Sequence, residues 1–201
     1  MDPEGENPVY NLNGKFIGLT KEGFTGEIII CTVPGKYKFS DYTANQLLNE
    51  KDVYTMDDCM RNDIGDANHL FGYAMSNIWT DVVGHFEGEP ITICGVNKGL
   101  SFNFNLIYNK KIGYKPTFYD AAAWETNILS GEIYGTGKYP YESTVENIAC
   151  SIIYHEWYGH LMNFYNDSTH YKAYLSQMFS PLWSRTTELY KHFIFIYSIT
   201  L

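Results

Sequence analysis

The order of apolar and polar residues predicts β-structure in the first part of the chain. Residues 9–12 alternate, Asn13-Gly14 is the strongest short signal for a hairpin turn, and residues 15–17 return from it. A β-branched run over residues 26–33 is closed by Pro34-Gly35, which is typical of a strand buried on both faces. A weaker helical pattern follows over residues 41–51. We therefore expect a hairpin, a buried strand and a short helix.

The middle of the chain predicts a longer helix and then more strands. Asp66 can cap a helix over residues 66–85, in which apolar residues recur at helical spacing. Residues 91–94 and 102–108 have strand character, and the second segment is half polar, as an exposed edge strand would be. Residues 109–141 have no clear period, so we predict mostly loop there.

The last sixty residues give the clearest helical signals. Ser143 and Glu146 have the spacing of a capping box, in which each side chain satisfies a backbone donor at a helix start. A second helix is predicted to begin at Asp167 or Ser168, and a third at Ser180-Pro181. The fold class is therefore α+β, with N-terminal strands, a hairpin and helices, and a helical C-terminal part.

Composition and charge narrow the range of functions. A chain of 201 residues is sufficient for one domain, and 23 Asp and Glu against 14 Lys and Arg give a net charge of -9. Because the basic residues are scattered, we expect no nucleic-acid partner. The longest apolar run, residues 193–199, is too short to span a membrane, and the amino end lacks the features of a signal peptide. Export would then depend on a larger protein.

The candidate chemistry lies in the string His155-Glu156-Trp157-Tyr158-Gly159-His160. Neutral imidazoles can hold a zinc ion, and an adjacent carboxylate can accept a proton from water without using a ligand position. The two histidines are five residues apart, which places them roughly 140° apart on a regular α-helix. A π-bulge near Gly159 would bring both rings into one cleft.

A third ligand is needed, and His170 is the favoured candidate because it lies at the predicted start of the next helix. Glu188, Asp167 and His192 are the alternatives. Zn²⁺ is the expected ion, although other divalent ions suit the same donors. In the expected mechanism Glu156 is the general base for zinc-bound water.

Other parts of the expected reaction remain open in the sequence. Tyr171, Tyr174 and His192 are the candidates for steadying the oxyanion, and the sequence does not choose between them. A peptide substrate could add as a strand to the predicted edge over residues 102–108.

The six-residue string resembles the H-E-x-x-G-H zinc motif of the dipeptidyl peptidase III metallopeptidases. In those enzymes the corresponding histidines bind zinc and the glutamate is the catalytic base. The resemblance therefore implies metal ligation by His155 and His160 and a catalytic role for Glu156.

The amino end resembles the junction at which Rhs and YD-repeat proteins pass into a variable C-terminal toxin domain, since residues 2–5 match its D-P-x-G signature. Residues 1–8 would then be the end of the junction, and residues 9–201 a single toxin domain similar to metallopeptidase-like members of that group. Similar domains carry a histidine shortly before the string that reads Lys172-Ala173-Tyr174 here, which supports His170. The resemblance implies secretion within a larger protein, delivery into a target cell, a protein or peptide substrate and a cognate immunity protein.

Two other interpretations remain open at this point. A metal-dependent nuclease toxin is common in this position of Rhs proteins, but the negative charge disfavours it. A non-catalytic interaction domain could use the histidines to hold structural zinc. The apolar ending over residues 191–201 is also consistent with a truncated C-terminus.

Overall fold

The computed structural model describes residues 5–61, 74–108, 124–127, 132–135 and 142–200. Strands dominate the N-terminal part and helices the C-terminal part, so the predicted α+β class is confirmed. The strands are β1 (Pro8–Tyr10), β2 (Phe16–Leu19), β3 (Ile29–Cys31), β4 (Val53–Thr55), β5 (Pro90–Ile93), β6 (Val96–Ser101), β7 (Asn105–Tyr108), β8 (Trp124–Asn127) and β9 (Glu132–Gly135). The helices are α1 (Ala44–Leu47), α2 (Met56–Arg61), α3 (Met75–Gly84), α4 (Val145–Ala149), a π-helix (Cys150–Met162), α5 (Tyr171–Met178) and α6 (Glu188–Thr200).

The predicted hairpin is present as β1 and β2, which pair antiparallel in a four-stranded sheet of order β2-β1-β3-β4. Strand β3 runs parallel to β1 and antiparallel to β4. Gly14 has a φ of +71° in the turn, and a Cβ there would overlap the carbonyl group of Ala74. The turn therefore needs glycine both for its backbone conformation and for its contact with the residue before α3.

Both faces of this first sheet are covered, as the apolar run predicts for its central strand. Val9 and Ile29 face one apolar cluster that includes Leu47 of α1. Tyr10 and Ile30 face the main core, which α3, α4 and the π-helix complete. The sheet thus places α1 on one side and the elements of the candidate site on the other.

The prediction of loop over residues 109–141 was wrong where the structure describes that stretch. Strands β8 and β9 lie there, and β9 pairs parallel with β7 and antiparallel with β8. Ile133 of β9 is completely buried. Four-residue strands are too short to show a period, and the parallel pairing of β9 with β7 joins residues that are distant in sequence, so local pattern could not reveal them. The rest of this stretch lies outside the described residues.

The helix starts in the C-terminal part are displaced from the predicted ones. The cap of α4 is Thr144, whose hydroxyl accepts the Asn147 N–H, and Glu146 instead pairs with Arg185 at 2.9 Å. Because Ser143 and Thr144 carry the same capping group, the spacing alone favoured the wrong residue.

The second and third predicted helices also begin later than expected. Residues 167–170 form turns before α5 begins at Tyr171. The predicted start at Ser180-Pro181 was wrong as well, since α6 begins at Glu188, where the Thr187 hydroxyl accepts the Tyr190 N–H. Between them, Trp183–Arg185 form a short 3₁₀ turn.

The π-helix is the central element of the C-terminal part. Its residues 150–157 are all buried, whichever way they face, because α5, β8 and β9 pack around it. A helix enclosed in this way is expected to be mostly apolar, and Ser151, His155 and Glu156 are the polar residues of this buried stretch. Trp157 also donates its indole N–H to the Asn103 carbonyl at 3.1 Å.

Parts of two predictions fall outside the described residues. Helix α3 accounts for the second half of the helix predicted over residues 66–85, and residues 66–73 are not described. Residues 1–4 of the predicted junction are likewise not described, whereas Asn7 is completely buried and Pro8 begins β1. Among the described helices, none combines the length and the apolar character that crossing a membrane requires.

Candidate metal centre

The π-helix places His155 and His160 on the same side of the helix. Residues five apart are successive in the i→i+5 hydrogen-bond pattern of such a helix, as the bond from the Asn163 N–H to the Tyr158 carbonyl shows at its end. The two imidazole centroids are 5.0 Å apart. The sequence predicts a single-turn bulge near Gly159, and the structure instead has π-helical backbone over thirteen residues.

His170 completes a cluster of three histidines. It is the residue before α5, and its ring centroid lies 4.9 Å from that of His155 and 4.8 Å from that of His160. One candidate ligand atom from each residue lies within 4.8 Å of those of the other two. The three side chains could therefore hold a metal ion.

The alternative third ligands lie elsewhere. Glu188 is exposed and forms an ion pair with Lys191 at 2.8 Å. Asp167 and His192 are also exposed and are not members of the histidine cluster. Of the four candidates for the third ligand, only His170 belongs to the cluster with His155 and His160.

Hydrogen bonds at the Nδ1 atoms orient two of the rings. The Nδ1 atom of His155 lies 2.8 Å from Oε1 of Gln177, and that of His160 lies 2.7 Å from the carbonyl oxygen of Tyr165. Both partners are acceptors, so each Nδ1 carries the proton and donates it. The Nε2 lone pairs of His155 and His160 are therefore available to a metal.

Burial keeps the three imidazoles neutral. It lowers the pKa of His155 well below the usual value, and the neighbouring His160 and His170 lower it further. Burial also lowers the pKa of His160 and that of His170. Neutral imidazole is the form that binds a metal, so the electrostatics of the cluster favour ligation.

One pair of donors has a spacing close to the one that a zinc ion requires. The Nε2 atoms of His155 and His170 are 2.9 Å apart. Nitrogen ligands at the usual Zn–N distance in tetrahedral geometry lie ~3.3 Å from each other. This pair would have to separate by roughly 0.4 Å to hold the ion, and His170 is only partly buried at the beginning of its helix.

Glu156 lies beside this cluster in a buried position. It follows His155 in the π-helix, is 3% exposed, and accepts a hydrogen bond from the Thr126 hydroxyl of β8. Its negative charge also acts on Tyr174, whose ring lies 4.5 Å from that of His155. A buried carboxylate thus lies next to His155 in the sequence and is bonded to a strand from another part of the chain.

Of the three residues considered as hydrogen-bond donors to the oxyanion, Tyr174 packs most closely on the histidine cluster. Its ring stacks on His170 with centroids 5.0 Å apart, and Tyr197 of α6 also stacks on it, with centroids 5.9 Å apart. Burial raises the pKa of Tyr174 to about 12, and the charge of Glu156 adds to this effect. The phenol therefore keeps its proton at neutral pH and can donate a hydrogen bond. Tyr171 and His192 are exposed.

No protein-family model, curated protein or solved structure matches this chain. The resemblances to dipeptidyl peptidase III and to Rhs toxin domains thus depend on the short strings alone, and the site has to be interpreted from its geometry.

Proposed function

We propose that the protein is a zinc-dependent metallopeptidase of the H-E-x-x-x-H type. The observation that supports this most strongly is the meeting of His155, His160 and His170 beside the buried carboxylate of Glu156. Three neutral nitrogen donors leave one tetrahedral position for water or substrate, which is the arrangement of catalytic rather than structural zinc sites. His160 and His170 are only partly buried, so this side of the cluster is accessible to solvent.

In this proposal each residue of the site has a distinct role in catalysis. A bound zinc ion would supply Lewis acidity, because it lowers the pKa of water toward 7 and polarises a substrate carbonyl. Glu156 accepts the proton from the attacking water and returns it to the leaving amine. The hydroxyl of Thr126 orients the carboxylate, and the neutral phenol of Tyr174 donates to the developing oxyanion.

The structure favours β8 as the site of a peptide substrate, in place of the edge suggested by the sequence. The third sheet has the order β7-β9-β8, so β7 and β8 both lie at its edges among the described strands. Strand β8 carries Thr126, whose hydroxyl bonds to Glu156. An extended peptide added to β8 would have its backbone close to the carboxylate.

We further propose that the domain acts as the toxic C-terminal part of an exported Rhs-type protein, with an immunity protein as its partner. The support is the D-P-x-G string at residues 2–5 and the similarity of the short strings around the histidines. A protein substrate in the target cell would agree with the peptidase chemistry.

Metal content and activity together test the proposal. Purified wild type is expected to contain one zinc per chain, and His155→Ala is expected to lose it. Glu156→Gln should retain zinc but lose cleavage of an unstructured protein such as casein, as well as toxicity in a recipient cell. Glu188→Gln is the matched control, because Glu188 is exposed and away from the cluster.

The outcomes distinguish the alternatives. Full activity and toxicity of Glu156→Gln would remove Glu156 from the mechanism. Zinc in a wild type that cleaves no substrate would leave only a structural metal site. Degradation of nucleic acid by the wild type, without proteolysis, would favour the nuclease. Absence of zinc from the wild type, even after incubation with the ion, would overturn the metal site itself.

A further inference from the structure

A buried chain of hydrogen bonds leads from helix α6 to the ring of His155. The Tyr190 hydroxyl lies 2.9 Å from the Ser151 hydroxyl and accepts a hydrogen bond from the amide nitrogen of Gln177. The other end of the Gln177 amide, Oε1, lies 2.8 Å from Nδ1 of His155. Gln177 is 1% exposed and Tyr190 is completely buried.

The direction of these bonds fixes the tautomer of His155. Because Nε2 of Gln177 donates to Tyr190, its Oε1 faces the histidine and can only accept. His155 must therefore carry its proton on Nδ1. Its Nε2 then carries no proton, so in the metal-free protein it accepts the hydrogen bond from Nε2–H of His170 at 2.9 Å, and the same lone pair would bind an ion.

The position of the chain in the fold makes this orientation rigid. Ser151 belongs to the π-helix, Gln177 to α5 and Tyr190 to α6, so the three elements that surround His155 each contribute one group. A fully buried amide that lost either partner would leave an unsatisfied polar group, which disfavours rotation of the Gln177 side chain. Helix α5 also follows His170 directly, so one helix positions two members of the cluster.

We propose that Gln177, held by Tyr190 and Ser151, is a positioning residue that fixes His155 in its Nδ1–H tautomer for binding a divalent ion. The inference rests on the proposed metal site. It adds a residue that touches neither ion nor substrate, and it links the affinity for metal to the packing of α6.

The first test is the affinity for Zn²⁺, measured by competition with a chelating dye in Gln177→Met, Gln177→Glu and Tyr190→Phe. Removal of such an outer partner lowers metal affinity by about 10–100-fold, which is the loss expected for Gln177→Met. Gln177→Glu retains an acceptor for Nδ1–H and should bind as tightly as wild type or more tightly. Tyr190→Phe should show a smaller loss, because the amide remains but is less firmly held.

Ser176→Ala is the matched control for these variants. Ser176 is the buried neighbour of Gln177 on α5, and its hydroxyl bonds within the helix to the Lys172 carbonyl at 2.8 Å. Its affinity for zinc should equal that of wild type. Circular dichroism of each metal-free variant establishes that the fold is retained.

The second test observes the tautomer directly in the metal-free protein. Long-range ¹H–¹⁵N correlation spectra of the histidine rings should show His155 protonated on Nδ1 in wild type and in Gln177→Glu. In Gln177→Met the signals should shift toward a mixture of both tautomers. A residue that only filled space would not produce this change.

Different results would contradict this inference and the proposed metal site. If wild type binds zinc tightly and Gln177→Met binds it equally well with an unchanged tautomer, Gln177 has no positioning role. If wild type does not bind zinc at all, the metal site is wrong. A Gln177→Glu variant as weak as Gln177→Met would also contradict the inference.

Discussion

At the scale of single residues, the hydrogen bond from Thr126 to Glu156 can be tested by a single substitution. Its hydroxyl donates to the Glu156 carboxylate, which is otherwise enclosed at 3% exposure. Thr126→Val keeps the shape of the side chain and removes the donor. We expect kcat to fall by about tenfold with KM and zinc content nearly unchanged, because outer partners of this kind typically contribute 10–100-fold. Steady-state proteolysis and metal analysis measure the two effects.

The conservative variant distinguishes orientation of Glu156 from packing of β8. Thr126→Ser retains the hydroxyl and should recover most of the activity. Equal losses in Thr126→Ser and Thr126→Val would show that the methyl group, rather than the hydrogen bond, is what matters.

Some residues of the site could be predicted from the sequence because they lie close together in one short motif. His155, Glu156 and His160 lie within six residues, and His170 follows ten residues later. Gln177 and Thr126 gave no such signal, because a buried amide or hydroxyl becomes important only through partners that the fold supplies. Thr126 is 30 residues away from Glu156 in sequence, in a stretch that was predicted to be mostly loop.

At the scale of elements, the contact between the π-helix and α5 depends on Gly159. A Cβ at this position would lie 2.7 Å from Cβ of Ala173 and 3.2 Å from its Cα. Gly159→Ala should therefore push the two helices apart and reduce the free energy of unfolding by about 1–3 kcal/mol. Because α5 follows His170, we also expect weaker zinc binding. Urea unfolding and a chelator competition measure the two quantities.

Two further variants show whether the clash is the cause. Gly84→Ala, in α3, has no neighbour within 4 Å of the new Cβ and should be neutral or slightly stabilising. The double variant Gly159→Ala with Ala173→Gly removes the closest contact and should recover part of the stability and affinity. Purely additive losses in the double variant would mean that the two residues do not act through each other.

Helices and strands that depend on local sequence signals could be predicted, whereas those that depend on tertiary contacts could not. The β1–β2 hairpin follows from Asn13-Gly14, a local turn signal, and it is present in the structure. The starts of α4 and α6 were displaced because several Ser and Thr residues compete as caps, and tertiary contacts such as the pair between Glu146 and Arg185 decide among them. The length of the π-helix was not predictable, since the five-residue spacing of the histidines requires only one wide turn.

At the scale of the whole molecule, a group of carboxylates joins three distant parts of the chain. Glu27 lies just before β3, Asp57 and Asp58 lie in α2, and Glu142 precedes α4. The backbone of Glu27 also bridges to Thr144. Burial and, as a smaller contribution, the charges of these three neighbours together raise the pKa of Glu27 to about 7. The contact between the first sheet and α4 therefore contains a carboxyl group that retains its proton near neutral pH.

This group makes stability depend on pH in a defined direction. In the unfolded chain Glu27 loses its proton near pH 4.5, and in the folded protein it does so only near pH 7. Between these values the folded state binds more protons, so the contribution of Glu27 to stability decreases as the pH rises, and it remains unfavourable above pH 7. Glu27→Gln is uncharged throughout. We expect it to be more stable than wild type at pH 8 by about 1–2 kcal/mol, after allowance for solvent screening, and by less at pH 5.

Urea unfolding of wild type and Glu27→Gln at intervals from pH 5 to pH 8 measures this difference. Comparison within each pH cancels the contributions of the carboxyl groups that do not interact with Glu27. Glu22→Gln is the control, because Glu22 is exposed in the turn before β3 and its substitution should give a flat difference near zero. A stability difference for Glu27→Gln that is the same at pH 5 and pH 8 would mean that Glu27 is already ionised in the folded protein. In that case the carboxylates at this junction must be further apart, or better solvated, than their burial indicates.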